Sequence, residues 1–86
     1  MAWSVELTDR ALRDLGKFER SVARRIVAKL ERAAGDPQRF FSRLVGSGEF
    51  KLRVGDYRLL ATLVHETNTI IVEHIDHRSR VYDRHQ

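Results

Sequence analysis

The segment Asp76-His77-Arg78-Ser79-Arg80-Val81-Tyr82 gathers an imidazole, two guanidiniums and a phenol within seven residues. A second set lies upstream. Glu49, Lys51 and Arg53 alternate with Phe50, Leu52 and Val54, and Arg58 follows just past Gly55-Asp56. Together these groups suit cleavage of RNA by its own 2′-hydroxyl. That reaction needs a base to take the hydroxyl proton, cations to neutralise the pentacoordinate phosphorane, and an acid to protonate the leaving 5′-oxygen. Aromatic rings stack and splay the bases so that attacking and leaving oxygens line up. The sequence holds no carboxylate cluster of the kind that grips two divalent metals, so the expected chemistry is metal-free and needs no cofactor. Each set also has a plainer reading: a frayed basic end for residues 76–82, a solvated strand face for the upstream cations.

The elements that position these residues follow from periodicity. Trp3, Val5 and Leu7 alternate with Ser4 and Glu6, so residues 2–7 read as a strand. Thr8 or Asp9 can cap a helix over 9–17, which the helical spacing of Ala11, Leu12, Leu15 and Phe18 marks. After a break near Phe18 to Arg20, Val22, Ile26, Leu30 and Ala33 mark a second helix that runs to Ala34 and stops at Gly35, with Pro37 beyond. Residues 35–48 read as a connecting loop whose Phe40, Phe41 and Leu44 turn back to the core. Three β-rich segments close the chain, separated by Gly55-Asp56 and by Glu66-Thr67-Asn68. The expectation is an α+β domain of order β-α-α-β-β-β over residues 1–86. An antiparallel meander carries an N-terminal helical hairpin on one face, and the first strand joins an edge. Period two then puts Glu49, Lys51 and Arg53 on the face away from the helices, with Arg58 close by.

Bulk composition narrows the class. Sixteen lysines and arginines against twelve acids give a net charge of +4, which favours a polyanionic or acidic partner. Cysteine is absent, which excludes disulfides, thiolate metal sites and cysteine nucleophiles. No stretch is apolar enough to span a membrane, and the first residues lack the basic and apolar regions of a signal peptide. A cytoplasmic location is expected. His65 and His74, within or at the ends of strands, read as structural or exposed groups, and His85 lies at the chain end. No H-x-x-x-H or H-x-H pair offers zinc spacing. The second helix carries Arg20, Arg24, Arg25, Lys29 and Arg32 against the single acid Glu31. This basic face reads as phosphate-gripping, as a seat for an acidic segment, or as a solvated surface.

The run from Leu44 to Leu60, with its L-x-G-x-G and R-V-G-D-Y-R motifs, and the H-R-x-x-V-Y of His77 to Tyr82 resemble the RelE/ParE toxin superfamily, and within it the RelE branch. The resemblance covers nearly the whole chain. It implies the toxin of a type II toxin-antitoxin system that cleaves mRNA in the ribosomal A site. It also implies a cognate antitoxin, RelB-like or of another type II class, in a hetero-oligomer with DNA binding by that complex as a further option. Residue by residue, it implies that Lys51 is the strand cation and that Arg58 holds the scissile phosphate. Arg78 belongs to the same cluster, and Tyr82 stacks on the base or aids proton transfer. His77 matches a histidine that some branches have, and Arg53 and Arg80 stand as substrate-binding cations. His77, Glu49 and a neutral Lys51 are three options for the general base. Glu49 stands where some members have a lysine, and Asp76 where a glycine is common.

Two other functions share this fold. A ParE-like inhibitor of DNA gyrase needs no ribonuclease set, so the joint presence of Lys51, Arg58, Arg78 and Tyr82 favours the RNase. A degenerate toxin retained only within a repressor complex is the third.

Overall fold

A computed structural model describes residues 2–77. Arg78, Arg80 and Tyr82 lie outside the described residues. The elements are β1 (Ser4–Leu7), α1 (Asp9–Gly16), α2 (Arg20–Ala33), α3 (Pro37–Phe40), β2 (Ser42–Arg43), β3 (Phe50–Val54), β4 (Tyr57–Val64) and β5 (Thr69–His77). They build an α+β fold with one sheet of order β1-β5-β4-β3-β2.

The meander β3-β4-β5 is antiparallel, as its turn spacing implies. Val54 faces Tyr57 across Gly55-Asp56, and Gly55 takes a φ of +59°, a conformation that suits glycine. Asn68, at φ 50°, turns β4 into β5, and its short polar side chain tolerates the left-handed region. β1 joins the sheet edge beside β5 and runs parallel to it, from Ser4↔Thr69 to Leu7↔Val72. The chain between them, with its helices and the strands β2 to β4, makes the long connection that a parallel pair requires.

The stretch 35–48 departs from the expected loop. Pro37 opens the short α3, where its missing N–H and fixed φ are harmless, and Ser42-Arg43 pairs with Phe50-Lys51 as a fifth strand. Two residues are too few for a periodic signal. Phe41, between them, is 6% exposed and anchors the segment to the core, as expected from its aromatic ring.

The helices pack on one face of the sheet. Ala11, Ile26, Leu30 and Ala33 meet Leu52, Val54, Leu59, Ala61, Leu63, Ile70, Val72 and Ile75 there, all buried. Thr8 caps α1 by accepting a hydrogen bond from the Ala11 N–H at 3.1 Å, and its own hydroxyl donates to the Glu73 carbonyl at 2.9 Å. One side chain thus starts the helix and ties it to β5.

Candidate functional site

The sheet face opposite the helices carries the cations. Register partners in an antiparallel sheet share a face, so two cross-strand rows can be read from the pairing. Arg53 lies directly opposite Arg58, and Arg58 directly opposite Asp76. One step along, Lys51 lies opposite Leu60, and Leu60 opposite His74. Ser42 extends the Lys51 row onto β2. Lys51, Arg53 and Arg58 therefore form one compact group, with strands about 4.8 Å apart. Two arginines set directly across from each other repel, a local cost that a bound phosphate removes. Among the described residues, none of the three has a carboxylate within ion-pairing distance. Lys51 and Arg58 are half-buried and Arg53 exposed.

The other predicted residues are placed less uniformly. Glu49 precedes β3. Its N–H donates to the Ser47 hydroxyl at 3.2 Å, and its carbonyl accepts from the Leu44 N–H at 2.8 Å, so it closes the loop at the foot of the Lys51 strand. His77 stands apart. It pairs with Tyr57, and its ring meets the Tyr57 ring edge-on at 4.9 Å between centroids, on the helix side of the sheet. Phe18, between α1 and α2, packs on the same tyrosine. The structure thus brings Lys51, Arg53 and Arg58 together and turns His77 away from them.

The reason is a bulge. Between Leu60 and Ala61 the register with β5 shifts, so that Leu60 faces His74 while Ala61 faces Val72 and Glu73 is extra. One added residue inverts every later side chain. Ile75 returns to the core, Asp76 joins the cation face and His77 leaves it. Glu73 accepts a hydrogen bond from the Thr62 hydroxyl at 3.1 Å on the outer face.

Sequence reasoning missed a cluster at this same place. Asp14 of α1 reaches the open edge of β5, where β1 has ended. Its Oδ2 accepts from the Ile75 N–H at 3.0 Å and lies 2.7 Å from His74 Nδ1. His74 Nε2 lies 3.3 Å from Asp76 Oδ2, and Asp76 Oδ1 accepts from the His77 N–H at 3.0 Å. An i, i+2 His-Asp pair on a strand hints that two polar groups share a face, but nothing local points to Asp14. The chain of contacts fixes the end of β5.

Burial acts to raise the Asp14 pKa. The Ile75 N–H, the His74 ring and the charge of Arg10 outweigh it and hold the carboxyl below its ordinary value. A depressed carboxylate adds stability that is present above the unfolded pKa near 3.9 and is lost as pH falls through the folded value. Asp14→Ala is expected to destabilise the fold by about 1–3 kcal/mol at neutral pH, because it strands the Ile75 N–H and the His74 ring. The gap between wild type and variant should close as pH drops below about 4, in paired urea titrations across pH. A gap that stays constant into acid would show that Asp14 acts by packing alone.

Among the described residues, no group of three potential metal ligands comes together. No helix of the described residues is long and apolar enough to cross a membrane.

Comparison with known proteins places this geometry in a family. Residues 5–82 match the family described as the ParE toxin of the type II toxin-antitoxin system parDE. Toxin RelG of Mycobacterium tuberculosis is 36% identical over 91 residues, spanning 98% of this chain and all of that protein. The toxin-antitoxin complex RelBE2 of the same organism contains a chain of the same fold, with TM-score 0.82 and 29% identity, covering 92% of this chain and 94% of that one. The intact RelBE complex of E. coli matches in fold with TM-score 0.75 at 23% identity, over 88% of this chain and 96% of that one. The chain belongs to the ParE toxin family of type II toxin-antitoxin systems, within the RelE/ParE superfamily, and is of RelE type.

Proposed function

We propose that this chain is a metal-independent endoribonuclease that cuts mRNA in the ribosomal A site and so stops translation. The observation that carries the reading is the group of Lys51, Arg53 and Arg58 on the open sheet face, with Arg53 and Arg58 in register and no carboxylate partner among the described residues. Similarity to RelE-type toxins supports it.

In this mechanism Arg58 holds the scissile phosphate by its planar fork, and Lys51 adds a point charge on the same phosphorane. Arg53 takes a neighbouring phosphate. These charges are fixed by the sheet before the reaction, so their effect is concentrated on the transition state. Arg78, Arg80 and Tyr82 follow His77 directly in the chain. By resemblance, Arg78 joins the phosphate cluster, Arg80 binds substrate, and Tyr82 stacks on the base or moves a proton. The inverted face of His77 favours Glu49 or a neutral Lys51 over it as the group that accepts the 2′-hydroxyl proton. Cytoplasmic location follows from a ribosomal substrate.

A cognate antitoxin holds the toxin silent in this reading. The RelBE2 and E. coli RelBE structures are complexes of a toxin with its antitoxin. An acidic or amphipathic segment that covers the cation row or the helical hairpin would do the same here.

The expected products identify the chemistry. Purified ribosomes carrying a defined mRNA should yield a 5′-hydroxyl fragment and a 2′,3′-cyclic phosphate at one A-site codon. A 2′-deoxy substitution at the cut should abolish cleavage. A 5′-phosphate product, or cutting of the 2′-deoxy message, would exclude attack by the 2′-hydroxyl.

The ParE description of the family supports a second reading, a DNA gyrase inhibitor without ribonuclease activity. Gyrase-dependent DNA breaks with intact mRNA on expression would establish it instead.

A further inference from the structure

A second cationic surface lies beside the catalytic row but faces elsewhere. β2 pairs only with Phe50 and Lys51, so from Leu52 onward the edge of β3 has no strand partner among the described residues. That edge looks toward α2. Two adjoining cavities open there, of about 250 and 310 Å³, and both are bordered by Lys29 and Arg53. The smaller adds Arg39 and Lys51, the larger Arg25 and Arg32. No carboxylate lines either one, and among the described residues none of these six cations is ion-paired.

Local structure holds the cations in place. Arg25, Lys29 and Arg32 recur at i, i+4 and i+7 and so run along one side of α2, over about 10 Å. Arg25 is seated over the β3–β4 turn: a Cβ added at Gly55 would lie 2.7 Å from its Nη2. Lys29 sits over the Phe40 ring at 5.6 Å from the centroid.

We infer that this groove is a second phosphate-binding site, which takes consecutive phosphates of an RNA segment beside the one being cut. The inference rests on the proposed function, since it assumes an RNA substrate, and it adds a contact outside the reacting centre. Three features select phosphate over an acidic peptide. Four of the six cations are arginines, whose fork matches phosphate oxygens. The groove shares Lys51 and Arg53 with the open face, so a backbone can pass from one to the other around the edge of β3. It also offers a peptide few anchors, because Leu52 and Val54 are buried and Phe40 lies under Lys29.

A free polyphosphate has the same chemistry as an RNA backbone, and the test separates the two. The full chain is titrated against a labelled RNA methylated at every 2′-hydroxyl, which binds but cannot be cut, over a series of salt concentrations. The variant Arg25→Gln/Lys29→Gln/Arg32→Gln is compared with wild type. Glutamine keeps the helix propensity, and thermal melting confirms that the fold survives. The triple variant should bind at least about tenfold more weakly, and its slope of log K against log salt should be shallower by about 2, near 0.7 for each lost phosphate contact. Arg58→Ala should weaken binding further, without strict additivity, since Lys51 and Arg53 belong to both surfaces. Inorganic triphosphate is titrated in parallel. Binding of triphosphate that the triple variant loses, with RNA binding unchanged, would assign the groove to a free polyphosphate.

Unchanged affinity and slope for both probes would overturn the inference. So would loss of antitoxin affinity alone, which would assign the groove to an acidic protein segment. The probe is uncleavable, so the groove is read separately from the reaction. A groove-dependent slope with no cleavage by wild type would sink the ribonuclease reading and leave the phosphate site standing.

Discussion

Replacing Arg58 by alanine should lower cleavage of ribosome-bound mRNA by at least about 100-fold, with the melting temperature unchanged or slightly raised. Removal of one preorganised charge from a transition state typically costs about 10²–10³ in rate. Arg58 is the central member of its row, with Arg53 on one side and Asp76 on the other, and it is half-buried, so solvent does not replace it easily. The stability expectation runs the other way. Arg53 and Arg58 are like charges directly opposed, and deleting one relieves that repulsion. A large loss of activity with no loss of stability marks a residue kept for function. Arg58→Lys keeps the charge and loses the bidentate fork, so about a tenfold loss is expected from it. Ribosomal cleavage assays alongside thermal melts check all three. Equal activity of wild type and Arg58→Ala would remove Arg58 from the site.

The second large effect concerns the scaffold. Ile26 is fully buried in α2, and it meets a sheet whose Leu52, Leu59, Ile70 and Ile75 are almost wholly inaccessible. Ile26→Ala should destabilise the fold by about 3 kcal/mol, from lost burial and the cavity left behind. Total stability for a chain of 86 residues is on the order of 5–10 kcal/mol, so the change is severe. A fall in melting temperature on the order of 15 °C is expected. The same helix carries Arg25, Lys29 and Arg32 on its outer side. Substitutions there should leave stability nearly untouched, which separates the two faces of α2 experimentally. A small effect of Ile26→Ala would mean that α2 packs loosely and that its cations are not rigidly presented.

The cation row was legible because it depends on two local facts. Strict alternation from Glu49 to Val54 assigns Lys51 and Arg53 to one face, and a two-residue glycine turn brings Arg58 opposite Arg53. The order of the longer elements, all but α3 and β2, and the helix-covered face followed from the same periodicities. What stayed hidden depends on partners far along the chain. Asp14 and His74 are sixty residues apart, and only the crossing of α1 over the end of β5 joins them. β1 runs parallel because the helical hairpin returns the chain to the same end of the sheet, a direction that no residue pattern within β1 encodes. The bulge at Glu73 is invisible because Thr69 to Ile75 reads as one continuous β-branched strand. That single extra residue decides which histidine faces the cations. His74 reaches their face and His77 does not, the reverse of their ranking by sequence.

The Asp14–His74–Asp76 contacts connect scaffold and site. They tie α1 to the strand end from which Arg78 follows, and they place Asp76 in the Arg58 register. A loss at Asp14 should therefore be felt first where β5 ends, and only then in the core.

The most direct test of the central claim is a map of mRNA 5′ ends in cells after brief induction of the wild type and of Arg58→Ala at equal protein levels. New ends are expected within translated codons, absent from untranslated regions and absent with Arg58→Ala. Growth arrest by the wild type with no new mRNA ends would contradict it.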